Sequence, residues 1–351
     1  MGCSNLFVAM VLMMVASVSL AQAPWRLASG YSDASFHTTN LREFANDVSR
    51  STDGKLNIDI RSNNSLVKLA DIRNAVGAGT VELGEVILTG LSKEFPLAGA
   101  DAVPFVVSSL TDAQRLWSLQ RPALERQLDA KGLVLLYAVP WPSQGLYSAR
   151  PIIKKTDFSG ARMRTYNATT VRIAELLGAS SVDVPMVQVA DALATGRMDS
   201  MISSAVTGVE NKVWTHLKYF YEINAWTPKN AVIVNAVAFA GLSLTHQRAL
   251  REAAKAAEER GWAMSRAAAR EAVQALRANG VKVEAMPQHL ERAFTLLGER
   301  FSRDWIREAG TQAGELFTAF FLRLPSSALD AAKSSATATD AVNSSLVVAK
   351  R

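Results

Sequence analysis

Residues 157–204 read DFSGARMRTYNATTVRIAELLGASSVDVPMVQVADALATGRMDSMISS, and this stretch decides the fold. Residues 161–166 alternate small or apolar side chains with basic ones, and this period of two predicts a strand. Apolar residues follow at helical spacing over residues 169–177 and stop at Gly178. The stretch continues with an extended piece, a helix and a buried strand end, at residues 181–186, 189–195 and 199–203. Together these segments predict a β-α-β-α-β module.

Arg164 lies at the end of the first strand of this module, in an otherwise small and apolar segment. Open α/β sheets bind their ligands at the carboxyl ends of strands. A planar guanidinium offers two parallel N–H donors to a carboxylate, which fixes the orientation of the ligand as well as its affinity. The alternative is a surface arginine at a strand edge.

The module resembles the solute-binding proteins of TRAP transporters, the DctP family. The resemblance lies in the segment DFSGARMR, in a helix followed by GA, in a proline, and in a second helix that ends in ALATGRMD. It covers about residues 25–324. It implies an α/β, two-lobed periplasmic binding protein fold with a hinge, a central ligand cleft and a long helix spanning both lobes. It also implies that Arg164 grips the carboxylate of the ligand.

The rest of the chain fits two lobes. Strands and helices alternate early in the sequence, which is typical of a mostly parallel sheet. Residues 245–279 predict one helix of roughly 50 Å, long enough to bridge two domains. We expect residues 22–141 plus 230–270 in lobe I and residues 142–229 plus 271–324 in lobe II. The pattern also predicts a helix at 212–222 and a strand at 231–242.

The two ends of the sequence differ from this pattern. Residues 6–20 form an uncharged apolar run that is followed by small residues, which predicts a signal peptide of residues 1–21. An uncleaved anchor helix is the alternative. Residues 325–351 are rich in Ser, Ala and Thr and predict a disordered tail. The single cysteine, Cys3, precedes the apolar run, so we expect no disulfide in the exported chain.

Charge and motif content argue against several functional classes. The chain has 38 Lys and Arg residues and 32 Asp and Glu residues, so its net charge is 38 − 32 = +6. This mild excess is spread along the chain, which suits an anionic ligand and not a nucleic acid. None of the four histidines forms an HExxH pair, and the sequence contains neither GxSxG nor a P-loop. The sequence therefore favours a protein that is not an enzyme and has no catalytic residues.

Ten side chains are predicted to line the ligand cleft, and Tyr147 is a further candidate. The ten are Arg164, Asn167, Ser203, Gln144, Lys68, Trp141, Met186, Trp226, Tyr31 and Glu85. For Lys68 and Glu85 the alternative is an exposed position, and for the aromatic residues it is the core. Together the candidates predict a pocket with one charged end and a broad apolar wall, which favours a compact monocarboxylate.

Some of these candidates depart from the family pattern or have a second interpretation. Asn167 suits the N-cap of a helix, and a helix N-terminus is itself an anion site. By the resemblance, Ser203 stands where many relatives carry an asparagine, and Gln144 stands where sialic-acid-type relatives carry an arginine. The carboxylate contacts of this chain are therefore expected to differ from those of such relatives.

The resemblance implies a periplasmic solute-binding subunit that captures a small organic carboxylate, such as an aromatic or short hydroxy or keto acid, by lobe closure. It would deliver this ligand to the small and large membrane permease subunits of a TRAP transporter, and no cofactor or metal is implied. We expect an exported monomer. The alternatives are a binding protein that serves a periplasmic sensor and, after it, a periplasmic enzyme acting on an acid.

Overall fold

The computed structural model describes residues 23–107 and 109–323. The predicted signal peptide and the predicted tail lie outside the described residues. Two separate β-sheets organise the described chain, and helices cover them. Within the described ranges, no helix has the length and the apolar content that crossing a membrane requires.

The strands are distributed over the two sheets in nearly sequential blocks. The first sheet contains β1 (Trp25–Ala28), β2 (Ile58–Arg61), β3 (Leu83–Ile87), β4 (Leu133–Pro140) and β10 (Lys229–Asn235). The second contains β5 (Gly145–Ser148), β6 (Arg162–Thr165), β7 (Ser180–Asp183), β8 (Ser200–Ser203), β9 (Tyr219–Glu222) and β11 (Lys282–Ala285). The spatial orders are β2-β1-β3-β10-β4 and β11-β9-β5-β8-β6-β7.

The helices complete two lobes, one around each sheet. They are α1 (Phe36–Ser51), α2 (Ile72–Gly77), α3 (Leu110–Asp129), α4 (Ala168–Leu177), α5 (Val189–Ala194), α6 (Ala205–Glu210), α7 (Ala236–Ala240), α8 (Leu244–Ala278), α9 (Gln288–Ala309) and α10 (Thr311–Phe321). In the first sheet β1, β2 and β3 run parallel, whereas β10 runs antiparallel to β3 and β4. The mixed α/β, two-lobed fold predicted from the sequence is confirmed.

The long helix α8 connects the two lobes. It has 35 residues and is therefore about 50 Å long at ~1.5 Å per residue. It packs on α1 and β4 of the first lobe and on α6 and β11 of the second. Gly261 permits the contact with β4, because a Cβ atom there would lie 2.3 Å from Cγ2 of Val139. The predicted lobe-spanning helix is confirmed.

Two extended segments also cross between the lobes, and they are hydrogen-bonded to each other. The amide of Trp141 donates to the Pro228 carbonyl at 2.8 Å, and the amide of Gln144 donates to the Trp226 carbonyl at 2.9 Å. The amide of Ala225 in turn donates to the Gln144 carbonyl at 2.9 Å. We call this pair of segments, residues 141–144 and 225–228, the hinge.

Two of the predicted elements are corrected by the structure. The predicted helix at 212–222 is wrong, because only a short 3-10 turn, Val213–Thr215, precedes strand β9. The aromatic residues Tyr219, Phe220 and Tyr221 follow one another in β9, and Phe220 packs on the Tyr147 ring at a centroid distance of 4.5 Å. The predicted strand at 231–242 ends at Asn235, whose side chain accepts the amide of Ala238 at 3.0 Å and thereby caps α7.

The predicted boundary of lobe II is also wrong at its C-terminal end. Helix α10 packs on α3 and on the 3-10 helix Pro96–Ala102, both of which belong to the first lobe. The apolar face of α10, which contains the buried Leu316 and Phe320, covers those elements. Helix α9 contacts the same 3-10 helix, and its Asp304 pairs with Arg172 of α4 in the second lobe. It therefore touches both lobes.

Candidate functional site

Arg164 is a buried cation at the carboxyl end of β6. Only 3% of its surface is exposed. Its Nε donates to the Val184 carbonyl at 2.8 Å, and its Cζ lies 4.8 Å from the centre of the Tyr166 ring. Burial lowers the pKa of Arg164, and the nearby Tyr166, Tyr31 and Asp183 oppose that shift. No carboxylate of the described residues forms an ion pair with it, so its charge is left without a direct counterion.

Two further buried donors accompany this guanidinium. Oδ1 of Asn167 accepts the Thr170 amide at 2.9 Å and so caps α4, but Nδ2 of the same side chain has no hydrogen-bond partner in the part of the chain that the structure describes. The indole N–H of Trp226 lies near the Tyr166 hydroxyl but makes no hydrogen bond of acceptable geometry. We call Arg164, Asn167 and Trp226 the donor wall.

The first lobe contains a buried acceptor, Glu85, that is held by groups of its own lobe. Glu85, on β3, is 2% exposed. Its Oε2 accepts the Ser29 hydroxyl at 2.6 Å, and its Oε1 accepts Nδ2 of Asn230 at 2.9 Å. Nδ1 of His37 lies 3.4 Å from the same Oε1. We call this set, Glu85 with Ser29, Asn230 and His37, the acceptor wall.

Aromatic rings cover the acceptor wall and tie it to the hinge. The Tyr31 hydroxyl and the Trp141 indole N–H both donate to Oδ1 of Asn230, each at 3.0 Å. The His37 ring lies 4.3 Å from the Trp141 ring and 5.9 Å from the Tyr31 ring. Burial raises the pKa of Tyr31, and the Glu85 carboxylate raises it further. The tyrosine is therefore a neutral donor at physiological pH.

The two walls face a common interior, which means that the lobes are closed. Tyr31 of the first lobe opposes the fall in the pKa of Arg164, which belongs to the second lobe, so the two residues lie near each other. One apolar cluster contains Tyr31 and Trp141 together with Val184 and Met201 of the second lobe. Closure therefore removes both walls from water.

The structure places four of the remaining candidates outside the two walls. Lys68 is exposed at the start of a 3-10 helix, so it does not reach the interior. Nε2 of Gln144 donates to the Pro142 carbonyl at 2.8 Å and braces the hinge. Tyr147 is a core residue whose hydroxyl donates to the Ser204 carbonyl at 3.0 Å. Ser203 ends β8 and is buried beside Gly145.

Met186 is half-buried and packs on the cluster that joins the two lobes. Glu85 is buried, so the alternative of a solvent-facing carboxylate is wrong. Tyr31, Trp141 and Trp226 are all buried in the core, and contact with a ligand stays a prediction for the three of them.

Sequence reasoning missed three residues of the interior: Tyr166, Asn230 and His37. Tyr166 directly follows the strand that ends with Arg164, and the strand-end rule could have identified it. Asn230 is a polar residue at the start of an apolar strand, which is a recognisable signal for a buried hydrogen-bonding role. His37 lies in the first turn of the helix after β1, but only the fold brings it to Glu85.

The fold and the two walls define a class of protein. Two α/β lobes enclose a guanidinium that forms no ion pair and two N–H donors that have no hydrogen-bond partner among the described residues. Buried donors without acceptors cost free energy, so such a site suits a ligand that brings anionic oxygens. These features are those of a two-lobed solute receptor.

The family follows from comparison with known proteins. Residues 27–303 match the family model DctP, described as bacterial extracellular solute-binding protein, family 7. This match covers well over half of the chain, and the chain belongs to this family.

Curated relatives carry the same general description. A solute-binding protein of Albidiferax ferrireducens is 25% identical over 178 residues, which are 50% of this chain and 52% of the relative. A solute-binding protein of Roseobacter denitrificans is 28% identical over 229 residues, 62% of this chain and 67% of the relative. The chain thus spans about half the length of the first of these relatives.

Solved structures are similar over almost their whole length. DctP7 of Bordetella pertussis, an extracytoplasmic solute receptor binding pyroglutamic acid, is 37% identical, with a TM-score of 0.83, and covers 85% of this chain and 99% of its own. A marine metagenome TRAP solute-binding protein specific for pyroglutamate is 34% identical, with a TM-score of 0.82. The match covers 85% of this chain and 98% of that protein. A glucuronate-bound protein of Chromohalobacter salexigens is 19% identical, covering 84% of this chain and 98% of its own at a TM-score of 0.78, and shows the shared fold alone.

Proposed function

We propose that this chain is the periplasmic receptor of a TRAP transporter for a small cyclic carboxylate of the pyroglutamate type. The observation that carries the proposal is the buried Arg164, which forms no ion pair with a carboxylate of the described residues. A ligand carboxylate supplies that counterion in a bidentate geometry. Asn167 and Trp226 then donate to the remaining oxygens of the ligand.

The acceptor wall supports a ligand that also has an N–H group. An ionised carboxylate has about four lone-pair positions. Glu85 uses positions for Ser29, Asn230 and His37, which leaves one for a ligand. A lactam acid carries a carboxylate on one side and an N–H on the other, so it matches both walls. The solved relatives that bind pyroglutamate agree with this choice.

The aromatic cover favours a compact ring over a polyhydroxylated sugar. Tyr31, Trp141 and Trp226 present flat apolar faces, and the hydroxyl and indole donors of the first two are already taken by Asn230. A sugar acid would bury several hydroxyl groups that need partners, at a cost of about 1–3 kcal/mol for each one left unpaired. The small ring of a lactam acid carries no hydroxyl group and needs partners only for one N–H and one carbonyl oxygen.

Isothermal titration calorimetry of the purified protein tests this function. L-pyroglutamate is expected to bind saturably with one molecule per chain. D-glucuronate serves as the comparison acid and is expected to bind at least about a hundredfold more weakly, which corresponds to ~2.7 kcal/mol. Tight binding of glucuronate without binding of pyroglutamate would contradict the proposed ligand class.

Delivery to membrane permease subunits is the second part of the proposal. The closed lobes present a ligand-loaded form that differs in shape from the open form, and a membrane partner can distinguish the two. Uptake of labelled pyroglutamate into vesicles that contain the cognate permease subunits is expected to require the receptor. Full uptake in its absence would assign the protein to a sensing role instead.

A further inference from the structure

Phe105 has a backbone conformation that phenylalanine rarely adopts. Its φ is +61°, in the left-handed region, where the Cβ atom crowds a neighbouring carbonyl oxygen. Within residues 23–107 and 109–323, the other non-glycine residues with positive φ are all polar or charged. Such strain persists only where the surrounding structure enforces it, and it is concentrated at functional sites and switches.

The first contact that holds Phe105 is with the hinge. Its amide donates to the Ala225 carbonyl at 2.6 Å. Ala225 is also bonded across the hinge, since its amide donates to Gln144, and the next residue is Trp226 of the donor wall. The position of the Phe105 amide therefore helps to fix the backbone that carries the Trp226 indole.

The second contact is with α9. The Phe105 ring lies 5.4 Å from the Phe294 ring. Gly298 lets the Phe105 segment approach the helix, because a Cβ atom there would lie 2.9 Å from the Pro104 carbonyl oxygen and 3.0 Å from Cβ of Phe105. A side chain at position 298 would push the two apart.

Helix α9 also reaches the second lobe. Asp304 pairs with Arg172 of α4, and the Arg172 guanidinium lies 5.0 Å from the centre of the Phe301 ring. The capping residue of α4 is Asn167, another member of the donor wall. Two residues of the donor wall are thus connected to one helix, Trp226 through Phe105 and Asn167 through α4.

We propose that Phe105 is the backbone switch of lobe closure and the positioning residue for Trp226. In the closed lobes, the Ala225 carbonyl and helix α9 hold Phe105 in its left-handed conformation. Opening of the hinge moves Ala225 and allows Phe105 to return to an ordinary conformation. The strain therefore opposes closure until ligand contacts offset it. This inference rests on lobe closure and not on the identity of the ligand.

A matched pair of variants separates the effect of the backbone conformation of Phe105 from the effect of its ring contact. Phe105→Ala and Phe105→Gly both lose the contact with Phe294, but only glycine adopts positive φ at no steric cost. The steric cost of the left-handed conformation corresponds to about five- to thirtyfold in an equilibrium constant. The closed-to-open ratio is therefore expected to be larger by that factor in Phe105→Gly than in Phe105→Ala.

Spin-label distances between the lobes measure this ratio without any ligand. Glu43 on α1 and Glu175 on α4 are exposed, and each is replaced by cysteine for labelling in a Cys3→Ser background. The unfolding temperature is measured for the same variants. If Phe105 is left-handed in both the open and the closed forms, glycine and alanine will differ in unfolding temperature but give equal distance distributions. That result overturns the switch.

Titration with L-pyroglutamate gives a second readout. The dissociation constant of Phe105→Gly is expected to be about five- to thirtyfold lower than that of Phe105→Ala. Equal constants in two folded variants that bind would count against the switch. Failure of the unsubstituted protein to bind pyroglutamate refutes the proposed function only, because the distance measurement still decides the role of Phe105.

Discussion

The donor wall and the acceptor wall solve the problem of buried polarity in different ways. Among the described residues, Asn167 and Trp226 each keep an N–H group without a partner and Arg164 forms no ion pair, whereas Glu85 already has Ser29, Asn230 and His37 beside its oxygens. An unpaired donor gains its full hydrogen bond from the ligand, but a bonded acceptor can add only one more. The donor wall is therefore expected to supply most of the affinity and the acceptor wall most of the selectivity.

Replacement of Arg164 has the largest expected effect. Arg164→Ala removes a charge-assisted pair from a desolvated interior and leaves the ligand carboxylate without its partner. Loss of one member of such a pair costs about 2–5 kcal/mol, so affinity is expected to fall by roughly 30- to 5,000-fold. Arg164→Lys recovers only part of this loss, because a point charge cannot form the planar fork. Calorimetry with L-pyroglutamate measures both variants.

Arg162→Ala is the matched control on the same strand. Arg162 has a half-exposed side chain and pairs with Asp199 at 3.1 Å. An exposed pair of this kind contributes about 0–1 kcal/mol, and binding is expected to stay nearly normal. Loss of binding in Arg162→Ala with normal binding in Arg164→Ala would show that the donor wall is wrongly assigned.

Substitution of Glu85 tests whether the acceptor wall selects for N–H groups. Glu85→Gln replaces an acceptor by an amide whose NH₂ group faces donors, and leaving one buried polar group unsatisfied costs about 1–3 kcal/mol. Affinity for L-pyroglutamate is expected to fall roughly 5- to 150-fold. The affinity for the corresponding lactone acid, which lacks the N–H, is expected to fall much less. Competition titrations with both acids give the two ratios.

Glu82→Gln controls for the loss of charge. Glu82 immediately precedes β3 and accepts the Arg26 amide at 2.8 Å, away from the interior. This substitution is expected to leave the affinities for the lactam acid and the lactone acid unchanged. If Glu85→Gln lowers the affinities for the lactone acid and the lactam acid equally, the acceptor wall has a structural role and does not select for an N–H group of the ligand.

Tyr166 has an intermediate expected effect, because it acts through Arg164. Its ring lies under the guanidinium, and a cation–π contact of this kind is worth about 0.5–2 kcal/mol. Tyr166→Leu is expected to reduce affinity by about 2- to 30-fold. Tyr166→Phe keeps the ring and is expected to bind nearly normally. Equal losses in both variants would show that the hydroxyl, and not the ring, matters.

The difference between the walls also explains what the sequence could predict. Arg164 and Asn167 belong to a contiguous module whose period and turns are local signals. The sequence therefore placed Arg164 at the end of a strand and Asn167 at the N-cap of a helix. Glu85, His37 and Asn230 come from three distant segments, and their association depends on strand order in the first sheet. That order includes the antiparallel insertion of β10 between β3 and β4, which no local pattern specifies.

The same reasoning applies to the elements that were predicted wrongly. The helix α10 was assigned to the second lobe together with the rest of residues 271–324, but it packs on α3 of the first lobe. Residues 212–222 were assigned to a helix, although the run of aromatic residues from Tyr219 to Tyr221 is a strand signal. Tertiary contacts decided the first case, and a missed enrichment in strand-forming residues explains the second.

Lys68 has the smallest expected effect, and it contrasts with Arg164 as a cation on the other lobe. Lys68 is exposed, so water and salt screen its charge over a Debye length of about 8 Å at physiological ionic strength. Lys68→Ala is expected to change the affinity for L-pyroglutamate by less than ~0.5 kcal/mol. Any effect should lie in the association rate, because an exposed charge steers an anion without contacting it, and it should vanish as salt is added. Stopped-flow fluorescence at low and high salt separates the two rate constants. A tenfold faster dissociation in Lys68→Ala that persists at high salt would mean that Lys68 turns inward and completes the donor wall in the loaded receptor.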